Sequence, residues 1–207
     1  MAENDALPEK TSYPKVKSRR KKVPSILQME AVECGAASLA MILEYYGRSV
    51  PLEELRVECG VSRDGSKASN VLKAARKYGL QAKGYKYELD RLWDMDLPVI
   101  LFWNFNHFLV LEGFKKDTVY IADPATGPRE ISFEELDASY SGVVLTFEPG
   151  PEFEKGGQRH SMSGALRRRL IGSEAALLFV ILCGLFLVVP GLIIPTFSRV
   201  FIDEYLV

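Results

Sequence analysis

The chain is 207 residues long, 47% hydrophobic and 26% charged, which leaves room for one sizeable folded domain with an appendage and is too apolar for a disordered chain. Its formal net charge of −1 points to no polyionic partner. The three cysteines, Cys34, Cys59 and Cys183, are odd in number and widely spaced, with no CxxC pair; this argues against a disulfide framework or a structural zinc site and for a reducing, cytoplasmic setting.

Residues 1–23 carry Pro8 and Pro14, lack apolar periodicity and read as a flexible basic arm. Lys15, Lys17, Arg19, Arg20, Lys21 and Lys22 form its basic block. The block reads first as a solvated tail and second as a surface for anionic lipid; with no interleaved aromatic residues it suits nucleic acid poorly. The polar opening excludes a signal peptide at this end.

Residues 24–149 have the pattern of an α+β domain. A helix is predicted over 34–46, rich in Ala and Leu and stopped by Gly47, with further helices over 51–59 and 69–78, each followed by a glycine. Short runs rich in β-branched and aromatic residues predict strands over 80–87, 99–103, 108–114, 119–122 and 143–147, with a last helix over 133–140. Residues 150–173 read as a polar, glycine-rich linker ending in a basic juxtamembrane segment. Residues 174–207 read as one transmembrane helix, because 175–198 contain no charged residue. Pro190 and Pro195 kink or end it. Arg167, Arg168 and Arg169 precede it and, by the positive-inside rule, place the N-terminal domain in the cytoplasm. A buried core helix of a second soluble domain is the alternative. A lone span at the end of a chain suggests the front portion of a longer membrane protein.

Four residues carry chemistry. Cys34 falls where a helix begins, and the positive end of a helix favours a thiolate over a thiol; Gly35 next to it leaves the approach to the sulfur open. His107 starts an apolar strand and is one of two histidines, the other, His160, lying in the linker; a base for a thiol needs an imidazole-like proton affinity. Asp123 ends the following strand. In a hairpin it falls within about two positions of facing His107, near enough to orient the ring and fix its tautomer. Gln28, six residues before Cys34, offers an amide to an oxyanion beside the Cys34 N–H. A buried structural cysteine, a strand-end histidine and an Asp-Pro turn are the plainer readings of the first three.

The run Gln28-Met29-Glu30-Ala31-Val32-Glu33-Cys34-Gly35-Ala36-Ala37-Ser38-Leu39-Ala40-Met41-Ile42, with Tyr46-Gly47, Leu52-Glu53-Glu54-Leu55-Arg56, His107-Phe108-Leu109-Val110-Leu111 and Ile121-Ala122-Asp123-Pro124-Ala125-Thr126-Gly127, resembles the papain-like peptidase domain of bacteriocin-exporting ABC transporters, the double-glycine leader peptidases. The resemblance covers residues 24–148, and Phe201-Ile202-Asp203-Glu204 is similar to the sequel of such an exporter's first transmembrane helix. Glu33 stands where that family more often has aspartate, a conservative departure expected to lie outside the catalytic groups.

The resemblance implies a papain-like cysteine peptidase fold, with a catalytic helix in a helical N-terminal part and a C-terminal antiparallel sheet. It implies a cysteine endopeptidase that removes the leader of a ribosomally made precursor peptide after a Gly-Gly or Gly-Ala site, with Cys34 as nucleophile, His107 as base, Asp123 as its orienter and Gln28 on the oxyanion. No metal or organic cofactor is expected for this step, and ATP is expected only in a nucleotide-binding domain of the full transporter. The expected partners are a precursor with an amphipathic helical leader, the bacterial cell membrane and, for the full transporter, a second copy. Trp103, Asn104 and Phe105 are candidates to wall the cleft, and Met41, Tyr45 and Tyr46 to line the leader groove. A non-catalytic leader-docking domain is the alternative from another class; a papain-like amidase or transglutaminase acting on other substrates is a third.

Overall fold

In the computed structural model, which describes residues 18–116, 118–157, 170 and 172–205, helix α1 (Cys34–Tyr45) has no polar side. Every residue from Cys34 to Leu43 is buried, so this is a core helix rather than an amphipathic surface one. It ends at Gly47, whose φ of 97° suits a residue without Cβ; there the Arg48 N–H reaches back to the Leu43 carbonyl at 2.9 Å. Helices α2 (Leu52–Glu58) and α3 (Ala68–Lys77) press Leu55, Val71, Ala74 and Ala75 into the same core.

The helices rest on an antiparallel sheet. Its strands are β1 (Arg19–Arg20), β2 (Leu80–Lys86), β3 (Val99–Trp103), β4 (His107–Lys115), β5 (Thr118–Asp123), β6 (Gly127–Ser132) and β7 (Tyr140–Pro149). The order is β2-β7-β3-β4-β5-β6, with β1 pairing β4. Both faces of the centre are covered. Phe108, Val110, Ile100, Leu145 and Phe147 join α1–α3 in one core. Leu109, Leu111, Leu101, Val144 and Ile121 face a second core under helix α4 (Phe133–Ser139) and the 3-10 turn Leu89–Asp94. Alternation along β4 therefore sends apolar residues both ways, which is why its sequence is nearly continuous in them.

The α+β class and every predicted element appear, with ends shifted by a few residues. Two strands were not expected. Strand β6 holds Pro128, Arg129 and Glu130, all exposed; it is an edge strand, where a residue without N–H is tolerated. Strand β1 lies inside the stretch expected to be a flexible arm through Val23, and corrects that expectation from Arg19 onward. Arg19 and Arg20 pair with Phe114 and Gly113. The carboxylate of fully buried Glu112 takes the Arg20 guanidinium at 2.7 Å and the Val23 N–H at 2.9 Å, while the guanidinium sits 4.0 Å over the Tyr120 ring. The rest of the arm, to residue 17, lies outside the described residues.

The expected linker also starts later than residue 150. Phe153 packs against the helical core, its ring 6.2 Å from that of Tyr46. The Gly156 carbonyl accepts the Ser49 N–H at 2.8 Å. His160 and Arg167 to Arg169 lie outside the described residues.

The chain divides into two units, residues 1–159 and 160–207. The second contains helix α5, Glu174–Tyr205. Its most apolar 18-residue window has a mean hydropathy of 3.0, and the segment Ala175–Glu204 extends about 45 Å, against about 30 Å for a bilayer's hydrocarbon core. It is long and apolar enough to cross a membrane. Pro190 and Pro195 lie within it without ending it.

Candidate active site

Three elements terminate at one place. Cys34 is the first residue of α1, His107 the first of β4 and Asp123 the last of β5. One bond ties helix to sheet: the Ser38 hydroxyl, one turn along α1 from Cys34, donates to the Phe108 carbonyl beside His107 at 3.2 Å. Across the sheet, Val110 faces Ala122. Continuing that register puts Asp123 opposite Leu109, two positions from His107 and within diagonal reach.

The His107 imidazole Nε2 lies 2.8 Å from Asp123 Oδ1. With the carboxylate ionised this nitrogen donates, which leaves Nδ1 for Cys34, whose sulfur is near enough to act on the ring's proton affinity. Cys34 is buried, and the side chains of His107 and Asp123 are 19% and 8% exposed, so a narrow opening is left at the ring. Burial pulls the imidazole down, but the hydrogen bond to Asp123, the neighbouring Cys34 and the charges of both outweigh it, and the ring is pushed up to about 9.

Asp123 is itself firmly held. Its carboxylate accepts the Ala125 N–H at 2.8 Å and the Thr126 hydroxyl at 3.2 Å, and Arg129 stands 3.8 Å away. Burial opposes its ionisation, yet His107 and these donors hold it below the usual carboxylate range. The Asp-Pro sequence that reads as a turn is one, and the turn's own Ala125 N–H and Thr126 hydroxyl fasten the carboxylate.

Gln28 joins the site through its backbone, its N–H donating to the Pro124 carbonyl at 2.9 Å. Its Oε1 is buried and has no hydrogen-bond partner among the described residues. Gly35 has a different reason from the one the sequence suggested. A Cβ there would stand 2.2 Å from Ser66 Oγ and 3.1 Å from Val71 Cγ2, so its smallness lets the 61–66 loop and α3 close on the first turn of α1.

The other candidates separate. Trp103 is a core residue, 6% exposed and packed in the second cluster; its place opposite His107 in the β3–β4 ladder gives it a packing role rather than a wall of the cleft. Asn104 and Phe105 form the tip of that hairpin with φ of 46° and 57°. Phe105 is 77% exposed and borders an open cavity of about 730 Å³, lined also by Tyr87 and Tyr140, that includes none of the four site residues. Met41 is fully buried in the core, so it lines no groove. Tyr45 and Tyr46 are half-buried, and Tyr46, Tyr85 and Tyr87 line a second cavity of about 470 Å³. Glu33, noted in the sequence only as a conservative departure, touches none of the four site side chains, as expected, but it is fully buried and binds the backbone that follows Gln28. A charged residue beside a buried cysteine in an apolar run was the available signal.

The sequence pattern of the peptidase C39 family matches residues 22–152. The chain is 38% identical over 135 residues to the colicin V secretion/processing ATP-binding protein CvaB of Escherichia coli, a match covering 65% of this chain and 19% of that one. It thus spans about a fifth of the length of this relative. Among solved structures it is similar to a double glycine motif protease from an AMS/PCAT transporter, crystallised with the leader peptide: 61% identity, a TM-score of 0.63, and coverage of 65% of this chain and 96% of that one. The peptidase domain of Streptococcus ComA shares the fold at 23% identity and a TM-score of 0.58, over 62% of this chain and 98% of that one. With a helix that begins on a cysteine, an imidazole that the cysteine influences and a carboxylate hydrogen-bonded to that imidazole, the match over residues 22–152 is decisive: the chain belongs to the peptidase C39 family, a family of cysteine peptidases.

Proposed function

We propose that residues 22–152 form a cysteine endopeptidase that removes the leader from a ribosomally made peptide precursor after a double-glycine-type site, and that it is tethered at the cytoplasmic side of a bacterial membrane to an exporter. The placement of Cys34 at the start of α1, acting on a His107 ring that is hydrogen-bonded to Asp123, carries this reading. The 61% identity to a double glycine motif protease supports the substrate class, and the apolar helix α5 supports the tether. ATP binding and pairing of two copies belong to the full exporter.

In the proposed reaction the Cys34 thiolate attacks the carbonyl carbon of the second glycine. The carbonyl electron pair moves onto oxygen, where the Cys34 N–H and the Gln28 amide donate to it. Protonated His107 gives its proton to the departing amine, the new N-terminus of the product peptide. The leader stays as a thioester. A water molecule, losing its proton to His107, attacks that thioester and returns the leader carboxylate and the thiolate. Asp123 keeps the imidazole in the tautomer and orientation that both transfers need.

The experiment is cleavage of a synthetic precursor with a helical leader and a Gly-Gly site. Cys34→Ala is expected to abolish cleavage and to leave leader affinity largely intact. Substantial cleavage by that variant would overturn the nucleophile assignment.

A further inference from the structure

Gln28 has an awkward task in the reaction proposed above. Its amide must stand at a fixed point beside the thiol, yet it lies on a segment that has no regular structure until the single 3-10 turn Ala31–Glu33. Ile26 packs against the helical core, but on either side of Gln28 packing gives little hold, because Leu27 and Met29 are 56% and 85% exposed. Nor does the amide fasten itself, because its oxygen has no partner among the described residues. What remains is the backbone. The Gln28 N–H is held by Pro124, and the next two N–H groups, of Met29 and Glu30, donate to one oxygen of the Glu33 carboxylate at 2.8 and 3.1 Å.

Glu33 is 0% exposed. A buried carboxylate is expensive unless it is paired and hydrogen-bonded. Here the second oxygen faces Arg56 of α2, whose Nε lies 2.9 Å away, near enough for an ion pair though not aligned for a hydrogen bond. Arg56 also reaches Glu30 at 3.6 Å. The guanidinium offsets a negative charge that would otherwise stand, one residue away, against the thiolate. A neutral side chain able only to pack would be cheaper to bury; a charged one fixes two donors and a direction.

We infer that Glu33, held by Arg56, is a positioning residue that sets the Gln28 amide in place to receive the oxyanion. The inference rests on the cysteine-peptidase reading. It separates two quantities that a merely structural role would move together. Alkylation of Cys34 by iodoacetamide needs the thiolate but generates no oxyanion, whereas peptide cleavage needs both.

The test uses the full 207-residue chain in detergent, with a leader peptide ending in Gly-Gly-aminocoumarin as probe. Glu33→Gln keeps the shape and loses the charge. It is expected to lower kcat on the order of tenfold to a hundredfold, to leave KM within about twofold, and to leave the Cys34 alkylation rate, read by mass spectrometry, within about twofold. In a Gln28→Ala background the same change is expected to cost little more, because the group being positioned is gone. An unchanged kcat, or a full multiplicative loss in the Gln28→Ala background, overturns the inference. If Glu33→Gln fails to fold, seen as loss of the thermal transition and as alkylation of the otherwise buried Cys59, half-exposed Arg56→Gln enters the same cycle with the same expected pattern. Cleavage that survives Cys34→Ala would defeat the peptidase reading instead, and so is distinguishable.

Discussion

Ser38 and Phe108 join the two halves of the site, the hydroxyl on the buried helix donating to the strand carbonyl at 3.2 Å. Both flanks of this bond carry chemistry: Cys34 lies one turn back along the helix and His107 one residue back along the strand. Ser38→Ala is expected to cost about 1 kcal/mol of stability and to lower kcat/KM several-fold, through looser spacing of thiol and ring. Urea denaturation and steady-state cleavage measure the two effects. Unchanged cleavage at reduced stability would show that core packing alone sets the spacing.

The imidazole predicts an alkaline limit. Its proton, needed by the leaving amine, is retained up to about 9, so kcat/KM is expected to fall as pH rises through about 9. The same shift stabilises the fold. A group raised from 6.5 to about 9 contributes fully below 6.5 and loses that contribution as pH rises through the folded value. Asp123, held low, contributes above the ordinary carboxylate range and loses its part as pH falls through its own folded value. Rate and unfolding free energy against pH check both signs.

Asp123→Asn weakens a hydrogen bond and removes a charge that raise the imidazole. The alkaline limit of cleavage is therefore expected to move to lower pH. The loss of rate should be smaller than in His107→Ala, because orientation is weakened while the base remains. Side-by-side turnover and pH profiles of the two variants decide this. A limit that stays near 9 in Asp123→Asn would separate the carboxylate from the ring's proton affinity.

The N-terminal strand gives a prediction away from the chemistry. Arg20→Ala strands the buried Glu112 carboxylate, leaving it the Val23 N–H alone among the described residues, at a cost on the order of 3 kcal/mol, reduced by the partial exposure of the arginine. Gly113→Ala would place a Cβ 2.1 Å from the Arg19 carbonyl, so β1 must lift. Hydrogen exchange over residues 19–23 is expected to speed up in both variants, with cleavage little changed.

The sequence makes some of this legible and hides the rest for physical reasons. Local pattern is enough for α1, whose helix formers, apolar run and terminal glycine agree, and for β4, whose apolar run can only be buried. Cys34, His107 and Asp123 are readable because each sits at an element's end, where a change of pattern marks the residue. Strand β1 is not readable, since nothing in a pair of arginines announces a buried glutamate far along the chain. Strand β6 hides behind Gly127 and Pro128, which suit an edge but look like a turn. Trp103 looks like a cleft wall by adjacency, but the alternation of β3 turns it into the core. The importance of Glu33 depends on the path of the backbone at Met29 and Glu30, which residue types do not record.

Because thiol, ring and carboxylate each sit where a different element stops, the chain comes off the ribosome with its nucleophile long before its base. A chain that has formed only the three helices has no imidazole beside its sulfur, and β5 then adds the carboxylate that steers the ring. Under the proposed function, cleavage is expected to report tertiary assembly rather than the presence of any one segment.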